Sequence, residues 1–375
     1  MQEGCSSKTL AGPGPAKHAQ PALSVVLPNY NHGKWLGRAV RALASQAVSS
    51  MEILLVDDGS TDNSIEVIAN LAREYECIRL IRHERNEGAH AAVRSGIAAA
   101  RGEFMLFAAA DDFVLPGLLS RGEAALRAYP QAAFFCADVA LLDRAGHVVG
   151  YRPVVPPRFD GGYVSPAAMR KSIRYTDNWF VGSSVVYRRS TLAEIGYFDE
   201  SLGTLCDGMA TRQLAFRHGF YFEPEVLAVW MIDPTTLSSQ TSLSATESRR
   251  VLDVGLRCIA DRFPEDVRDS YGALFRRRFA FNMARQQLLW LHGDAAPTAV
   301  CELLNCGPFE RSMIHALHRV PGIGRTLVLA AIALRLRPLS LRTLVRSWWR
   351  LHVLERKERS VLRRRLKQAF AAEGA

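Results

Sequence analysis

The chain has 375 residues, 48% of them hydrophobic and 22% charged, which suits one large domain with a smaller one, or two domains, and excludes collagen-like and wholly disordered classes. Its net charge of +10 is lopsided: from Thr241 onward 24 Lys and Arg face 12 Asp and Glu, whereas the first 240 residues carry 23 basic against 25 acidic residues. The basic surplus belongs to the tail, so the front half shows no electrostatic footprint for nucleic acid.

Met1 to Gln20, rich in Gly, Pro, Ser and Ala, reads as a disordered lead-in, and it lacks the basic region and apolar core of a secretory signal. Leu23 to Pro28 is a short β-branched run expected to form the first buried strand. The turn formers Asn29-Tyr30-Asn31-His32-Gly33 follow, and Lys34 to Ser45 carries Leu36, Val40 and Leu43 at helical spacing. Glu52 to Val56 repeats the strand, Asp57 to Ser64 is a loop, and a helix is expected from about Ile65 to Tyr75, with Asn63 and Glu66 as its capping pair. Ile78 to Arg82 is a third strand, and Asn86-Glu87-Gly88 leads into the helix Ala89 to Ala100, ended by Gly102.

Phe104 to Pro116 is the stretch around which the chain is organised, an apolar strand running directly into Asp111-Asp112. A helix to about Ala128 follows, then a strand from Ala132 to Cys136 and a hairpin from Leu141 to Val149 turning at Asp143 to Gly146. Tyr151 to Tyr163 is a Pro- and Gly-rich loop suited to the rim of a cleft. Ser183 to Tyr187 is expected as a strand, Arg189 to Ile195 as a short helix and Gly196 to Glu200 as a turn. Asp207 opens a helix to His218, and Phe222 to Trp230 is extended. From about Thr241 the texture becomes Arg-rich and helical.

Alternating strands and helices at this spacing predict βαβ units and a mostly parallel, right-handed α/β sheet. No Gly-x-Gly-x-x-Gly follows the first strand and no P-loop occurs, so the usual dinucleotide and nucleoside triphosphate signatures are absent. Three acidic sites fall at element ends: Asp57 and Asp58, Asp111 and Asp112, and Asp207. The first two sites are expected side by side at the carboxyl edge of the sheet, where open α/β proteins bind ligands. Adjacent carboxylates there suit a hard divalent cation bridging to phosphate oxygens, although Asp-Asp alone is also an ordinary exposed turn, and Asp207 also suits the helix dipole.

In order along the chain, Ser24-Val25-Val26-Leu27-Pro28-Asn29-Tyr30-Asn31, Glu52-Ile53-Leu54-Leu55-Val56-Asp57-Asp58-Gly59-Ser60-Thr61-Asp62, Asn86-Glu87-Gly88, Ala100-Arg101-Gly102-Glu103-Phe104, Ala110-Asp111-Asp112, Gly196-Tyr197-Phe198-Asp199-Glu200 and Cys206-Asp207-Gly208 resemble the family 2 glycosyltransferases of the GT-A fold. The resemblance covers about Leu23 to Ser239. It implies an inverting hexosyltransferase-like enzyme that uses a nucleoside diphosphate sugar, with a UDP-sugar as the expected donor. Carried over, Pro28, Asn29 and Tyr30 line the nucleotide pocket, Asp58 faces the base with Asp57 beside it, and Asp111 and Asp112 match the metal motif. Asp112 is the expected ligand to Mn²⁺ or Mg²⁺, Asp207 the catalytic base, and Trp230 part of the segment closing over the donor. The implied acceptor is a glycan or lipid-linked hydroxyl, in polysaccharide or other cell-envelope assembly. The organisation expected is residues 1–20 as lead-in, 21–240 as the GT-A domain and 241–375 as a basic α-helical extension.

Three departures stand out: Ala109 replaces an acidic residue two positions before Asp111, Cys206 stands where relatives often have Glu, and Arg94 where an asparagine is usual. Ala109 is the best support for the rival reading, a non-catalytic sugar-nucleotide-binding or scaffold protein. His32, His83 and His90 lack metal-ligand spacing and read as solvated or packing histidines. Trp179 fits an acceptor pocket or the core equally well. The seven cysteines read as reduced thiols of a cytoplasmic protein; Cys301 and Cys306 lack the second pair a zinc site needs. The longest apolar run, Thr326 to Leu334, is too short to span a bilayer. Leu341 to Phe370 is a basic amphipathic helix pattern, suited to the cytoplasmic face of an anionic membrane or to packing on the catalytic domain or a second subunit.

Overall fold

The computed structural model of the chain describes residues 20–46, 48, 50–153, 155–175, 177, 180–232, 241–338, 343, 345 and 362. The front half alternates as the sequence pattern requires: β1 (Leu23–Asn29), α1 (Gly33–Ala44), β2 (Met51–Asp57), α2 (Ser64–Glu74), β3 (Ile78–Arg82), α3 (Ala89–Ala99) and β4 (Phe104–Phe107). Then come β5 (Phe113–Val114), α4 (Leu118–Ala128), β6 (Phe134–Leu142), β7 (Val148–Arg152), β8 (Gly162–Val164), α5 (Pro166–Ser172), β9 (Val186–Arg188), α6 (Arg189–Glu194), α7 (Cys206–Arg217) and β10 (Phe220–Met231). β1 and β2 are buried on both faces, so their apolar runs are continuous, and α1 packs Leu36, Val40 and Leu43 into the same core.

The sheet runs β3-β2-β1-β4-β9-β6-β10-β5. The lanes from β3 to β4 are parallel, as is β6 with β10, which gives the α/β sheet its carboxyl edge. β9 enters antiparallel between β4 and β6. β10 holds one edge of β6, so β7, which pairs antiparallel with Val139–Leu142, continues the lane that β9 begins. Two expectations need correction. The carboxylate pairs after β2 and β4 are not neighbours, because β1 lies between them and its end, Asn29 and Tyr30, fills the gap. Of the strand expected over Ser183 to Tyr187, Ser183 and Ser184 are not extended: Ser184 donates both its N–H and its hydroxyl to the Val181 carbonyl, winding Gly182–Ser184 into a tight turn before β9.

Asn63 does occupy the cap position of α2, but its side chain makes no capping bond. Asp62 does that work, accepting from the N–H of Ser64 at 3.0 Å and from that of Gly33 at 3.0 Å, which ties two loops at the carboxyl edge together.

After β10 the chain is helical: α8 (Ala245–Arg262), α9 (Arg268–Trp290), α10 (Ala295–Leu303), α11 (Pro308–His318) and α12 (Gly324–Leu336). α8, α9 and the link between them contribute Leu252, Ile259, Phe263, Tyr271 and Phe275 to the apolar core that also holds Phe134, Phe216 and Phe220. Among the described residues no helix is long and apolar enough to cross a membrane. The amphipathic pattern of Leu341 to Phe370 lies outside the described residues, save for 343, 345 and 362, as does Trp179.

At the opposite end of the sheet from the carboxyl edge sits a buried acid, Glu52. One oxygen accepts from the Ser24 hydroxyl (2.7 Å) and the Arg101 N–H (2.8 Å), the other from Arg79 (2.7 Å) and the Arg101 guanidinium (2.9 Å). Burial raises this carboxyl, but those hydrogen bonds outweigh it and hold it below its ordinary value. Glu52→Ala is expected to cost about 3 kcal/mol, the lower end for a broken buried pair because both arginines are half-exposed and rehydrate. Because the folded-state value is lowered, the stabilisation is present at neutral pH and lost as pH falls through it, so denaturant melts of wild type and variant should converge in acid.

Candidate active site

At the carboxyl edge the molecule opens into a cavity of about 1170 Å³ whose walls include Pro28, Asn29, Tyr30, Asp58, Asp111, Asp112, Asp207 and Trp230. All the residues expected at the site line it except Asp57. The Asp57 carboxylate is fully buried, accepts from the Asn29 side chain at 2.9 Å and the Ser60 N–H at 3.1 Å, and so supports the wall from behind. Asn29 is fixed by these bonds and by Ser60 Oγ (3.1 Å), while its buried Oδ1 has no hydrogen-bond partner among the described residues. An orphaned buried acceptor beside a cavity is open to a ligand's donor.

Asp58 is more committed than a free ligand-binding carboxylate. One oxygen accepts from the Glu87 N–H (2.9 Å) and meets His83 Nδ1 (2.7 Å), and the other accepts from the Gly88 N–H (2.8 Å). His83 is therefore the packing histidine of the three, buried and held on its far side by Ser95 Oγ at 2.9 Å. Through Asp58 the end of β2 holds the Asn86–Gly88 turn against the cavity. His32 and His90 line the cavity itself.

Asp111 and Asp112 occupy the link between β4 and β5. Asp112 is buried and accepts from the Met231 N–H at 2.9 Å, which pins the link to the end of β10 beside Trp230. Burial, reinforced by the neighbouring Asp111 carboxylate, pushes Asp112 well above the ordinary carboxylate range, with Arg38 a weaker opposing influence. A buried acid in that state favours an added cation. Among the described residues no cluster of three or more His, Cys, Asp or Glu could hold a metal alone, and Ala109 supplies no further carboxylate. The donor set therefore fits a divalent ion held by one or two carboxylates and completed by ligand oxygens, the usual manner of Mg²⁺ with phosphates.

Asp207 stands in the first turn of α7, one edge open to the cavity. Its carboxylate accepts from the Gly208 N–H at 2.6 Å, and the space beside it exists because residue 182 has no side chain: a Cβ there would lie 2.7 Å from Asp207 Oδ2. Burial raises the Asp207 carboxyl above its ordinary value, partly offset by the Gly208 N–H, Arg212 and His90. A carboxyl so raised is a better proton acceptor than a surface aspartate. The departures are also placed: Arg94 pairs with Glu200 at the surface, and burial pushes the Cys206 thiol up to about 12, making it an inert neighbour of Asp207.

Sequence reasoning missed Gly182, Arg152 and Arg285, which help shape or line the cavity. Gly182 had a faint signal, a glycine directly before Ser-Ser in an apolar stretch; the two arginines had none.

Residues 24–194 match the model of the family described as Glycosyl transferase family 2. Residues 24–194 are a family 2 glycosyltransferase domain. A protein of Escherichia coli (strain K12) called the uncharacterized glycosyltransferase YibD is 40% identical over 94 residues, which are 25% of this chain and 27% of that protein. The first curated relatives are matched over only 27% to 38% of their own lengths. Among solved structures, S. aureus TarS 1–349 in complex with UDP-GlcNAc superposes with a TM-score of 0.56 at 17% identity, covering 85% of this chain and 93% of that one. The mannosyltransferase PcManGT of Pyrobaculum calidifontis, in complex with GDP-Man and Mn²⁺, gives 0.52 at 16% identity over 87% and 91%. These likenesses show the GT-A fold, to which C-terminal helices are added.

Gly182→Ala is expected to push the Asp207 carboxyl from its place; a structure of the variant should show that side chain turned, with the fold otherwise kept. Asp207→Asn should raise the melting temperature at neutral pH, because a folded-state value above the unfolded one means the ionised form opposes folding there. The sign follows from linkage: the wild-type protein regains the difference as pH falls, so the gap between the two melting curves should shrink in acid.

Proposed function

We propose that the chain transfers a sugar from a nucleoside diphosphate sugar to a hydroxyl acceptor by a single displacement that inverts the anomeric carbon. The observation carrying this reading is that Asp112 and Asp207, from distant parts of the sequence, share one cavity with Pro28, Asn29, Tyr30 and Asp58. Asp58 follows β2, Asn29 and Tyr30 end β1, and Asp111–Asp112 stand on the link after β4, so Asn29 Oδ1 and the Asp58 turn are assigned to the base and Asp111–Asp112 to the diphosphate. UDP is the first donor to test, with GDP second; TarS and PcManGT are described with a sugar nucleotide of each kind.

Asp207 is assigned as general base. Its raised affinity for a proton and its open edge suit removal of the acceptor hydroxyl proton as the oxygen attacks, while Gly182 and the Gly208 N–H hold the carboxylate in one orientation. The leaving diphosphate develops charge, and Asp112 with Asp111 would hold a divalent Mn²⁺ or Mg²⁺ ion, which when bound supplies Lewis-acid neutralisation of that charge. Trp230 and Tyr30 exclude water from the two ends of the donor. The rival, a sugar-nucleotide-binding protein without catalysis, draws support from Ala109, but a binder has no use for a buried, raised carboxyl at Asp207. A glycan or lipid-linked acceptor in cell-envelope assembly, reached from the cytoplasmic face of a membrane, is the context assigned to the basic tail.

Calorimetry with UDP and GDP, with and without Mn²⁺, tests the donor site: one nucleotide should bind, and more tightly with the metal. Asp112→Ala should abolish that metal response, and an unchanged response would move the metal elsewhere. Asp207→Asn should lower turnover of the matching nucleotide sugar by at least about 10³-fold while leaving nucleotide affinity nearly intact. The acid limb of the wild-type rate profile should fall at a pH above that of an ordinary aspartate, since the base must be ionised and its proton affinity is raised.

A further inference from the structure

Four arginines line the cavity, and two of them are committed elsewhere. Arg278 donates to the carbonyls of Ile173 (2.8 Å), Arg174 (2.9 Å) and Pro338 (3.2 Å) and pairs with Asp177 at 3.4 Å. Arg212 donates to the Gly208 carbonyl at 2.7 Å and lies over the Phe180 ring. Arg152, the last residue of β7, and Arg285, on α9, differ. Among the described residues neither meets a carboxylate, and the hydrogen bond recorded for the pair is a 3.3 Å contact from Arg285 to Asn282, itself on the cavity wall. The two guanidinium groups feel each other: burial and the charge of Arg285 push Arg152 down to about 10, and burial lowers Arg285 too, so both remain cations at neutral pH.

Two like charges half-buried in one cavity without a counter-ion oppose folding and are understandable if a ligand supplies the anion. Their place in the sheet indicates which ligand. β7 continues the β9 lane, three strands beyond β2, and Arg285 reaches the cavity from α9, so the pair stands away from the Asp58 end. The cavity, at about 1170 Å³, also exceeds the roughly 300–1,000 Å³ that one small ligand fills. We propose that Arg152 and Arg285 form an anion site for a phosphate group carried by the acceptor, so that this glycosyltransferase glycosylates a phosphorylated substrate. The paired, fork-shaped donors suit a multiply charged oxyanion, and Arg285 comes from the helical extension, which thereby completes the site. The inference rests on the donor reading only in assigning the Asp58 end to the nucleotide.

The test uses the full chain and inorganic phosphate as the probe. Phosphate should raise the wild-type melting temperature by mass action, and should do so equally when UDP or GDP, whichever binds, is already saturating. Arg152→Gln and Arg285→Gln should each weaken phosphate binding roughly tenfold or more, leave nucleotide affinity unchanged, and melt no lower than wild type in phosphate-free buffer, because a repulsion has been removed. Arg285→Lys, which keeps the charge, should retain part of the phosphate effect. Absence of phosphate protection in the wild type overturns the proposal, as does protection that persists in both Gln variants. Competition between phosphate and nucleotide, with nucleotide binding weakened in Arg152→Gln, would assign the pair to the donor diphosphate and overturn the acceptor assignment. If neither nucleotide binds the wild type, the donor reading fails by itself, and loss of phosphate protection in the variants still upholds the anion site.

Discussion

Glu52 has no access to the cavity, yet the cavity depends on it. Its carboxylate joins β1 through Ser24, β3 through Arg79 and the entry to β4 through Arg101, so four strands leave one knot in fixed register. Gly102 lets the chain pass there: its N–H donates to Ser24 Oγ at 2.8 Å, and a Cβ on it would lie 2.5 Å from the Ser24 backbone nitrogen. Parallel strands that start in register also end in register after a similar number of residues. The loops carrying Asn29, Asp58 and Asp111–Asp112 therefore emerge at one level, as sites at the carboxyl edge of such a sheet require. The knot is stabilised because every lone pair that burial exposes to low dielectric has a donor, the condition under which an interior charge favours folding.

Five acids of the knot and the cavity fall into two kinds, and hydrogen bonding separates them. Glu52, Asp57 and Asp58 are surrounded by donors and act as connectors. Asp112 and Asp207 each have one backbone N–H donating to the carboxylate and are pushed upward by burial. A group kept short of donors in a cavity is held in a state that a ligand or a proton relieves, and such groups gather at functional sites. The same contrast separates Arg278, tied to three carbonyls, from Arg152 and Arg285.

The strand and helix pattern of the front half was legible almost to the residue because local and tertiary preferences agree there: buried parallel strands are continuous apolar runs, and the helices between them are amphipathic. The motif residues were legible as a set but not in their division of labour. Asp57 and Asp58 are adjacent and chemically identical, and only the pleat, which turns successive side chains to opposite sides, sends one behind the wall and the other to it. Beyond α4 the reading weakened for a different reason. β5, β8 and β9 are two or three residues long and exist because a neighbouring strand offers hydrogen bonds, a tertiary fact without local signature. The tight turn at Gly182–Ser184, where a strand was expected, shows the same override, and it is that turn which leaves room for Asp207.

The helical extension changes meaning in this light. Its positive charge reads from the sequence as a surface property, a tail attracted to something outside. α8 and α9, however, share their apolar faces with the core of the sheet, and α9 carries Arg278 and Arg285 to the cavity, one bracing the wall and one facing the space within it. Long side chains with buried stems bring charge inward as readily as outward. On the proposed reading, in which the nucleotide binds through β1 and β2, the helix α9 packed beside the later lanes would shape the rest of the cavity. Specificity for a second substrate would then depend on how the extension docks, through residues on α9 and β7 that lie apart from the knot at Glu52.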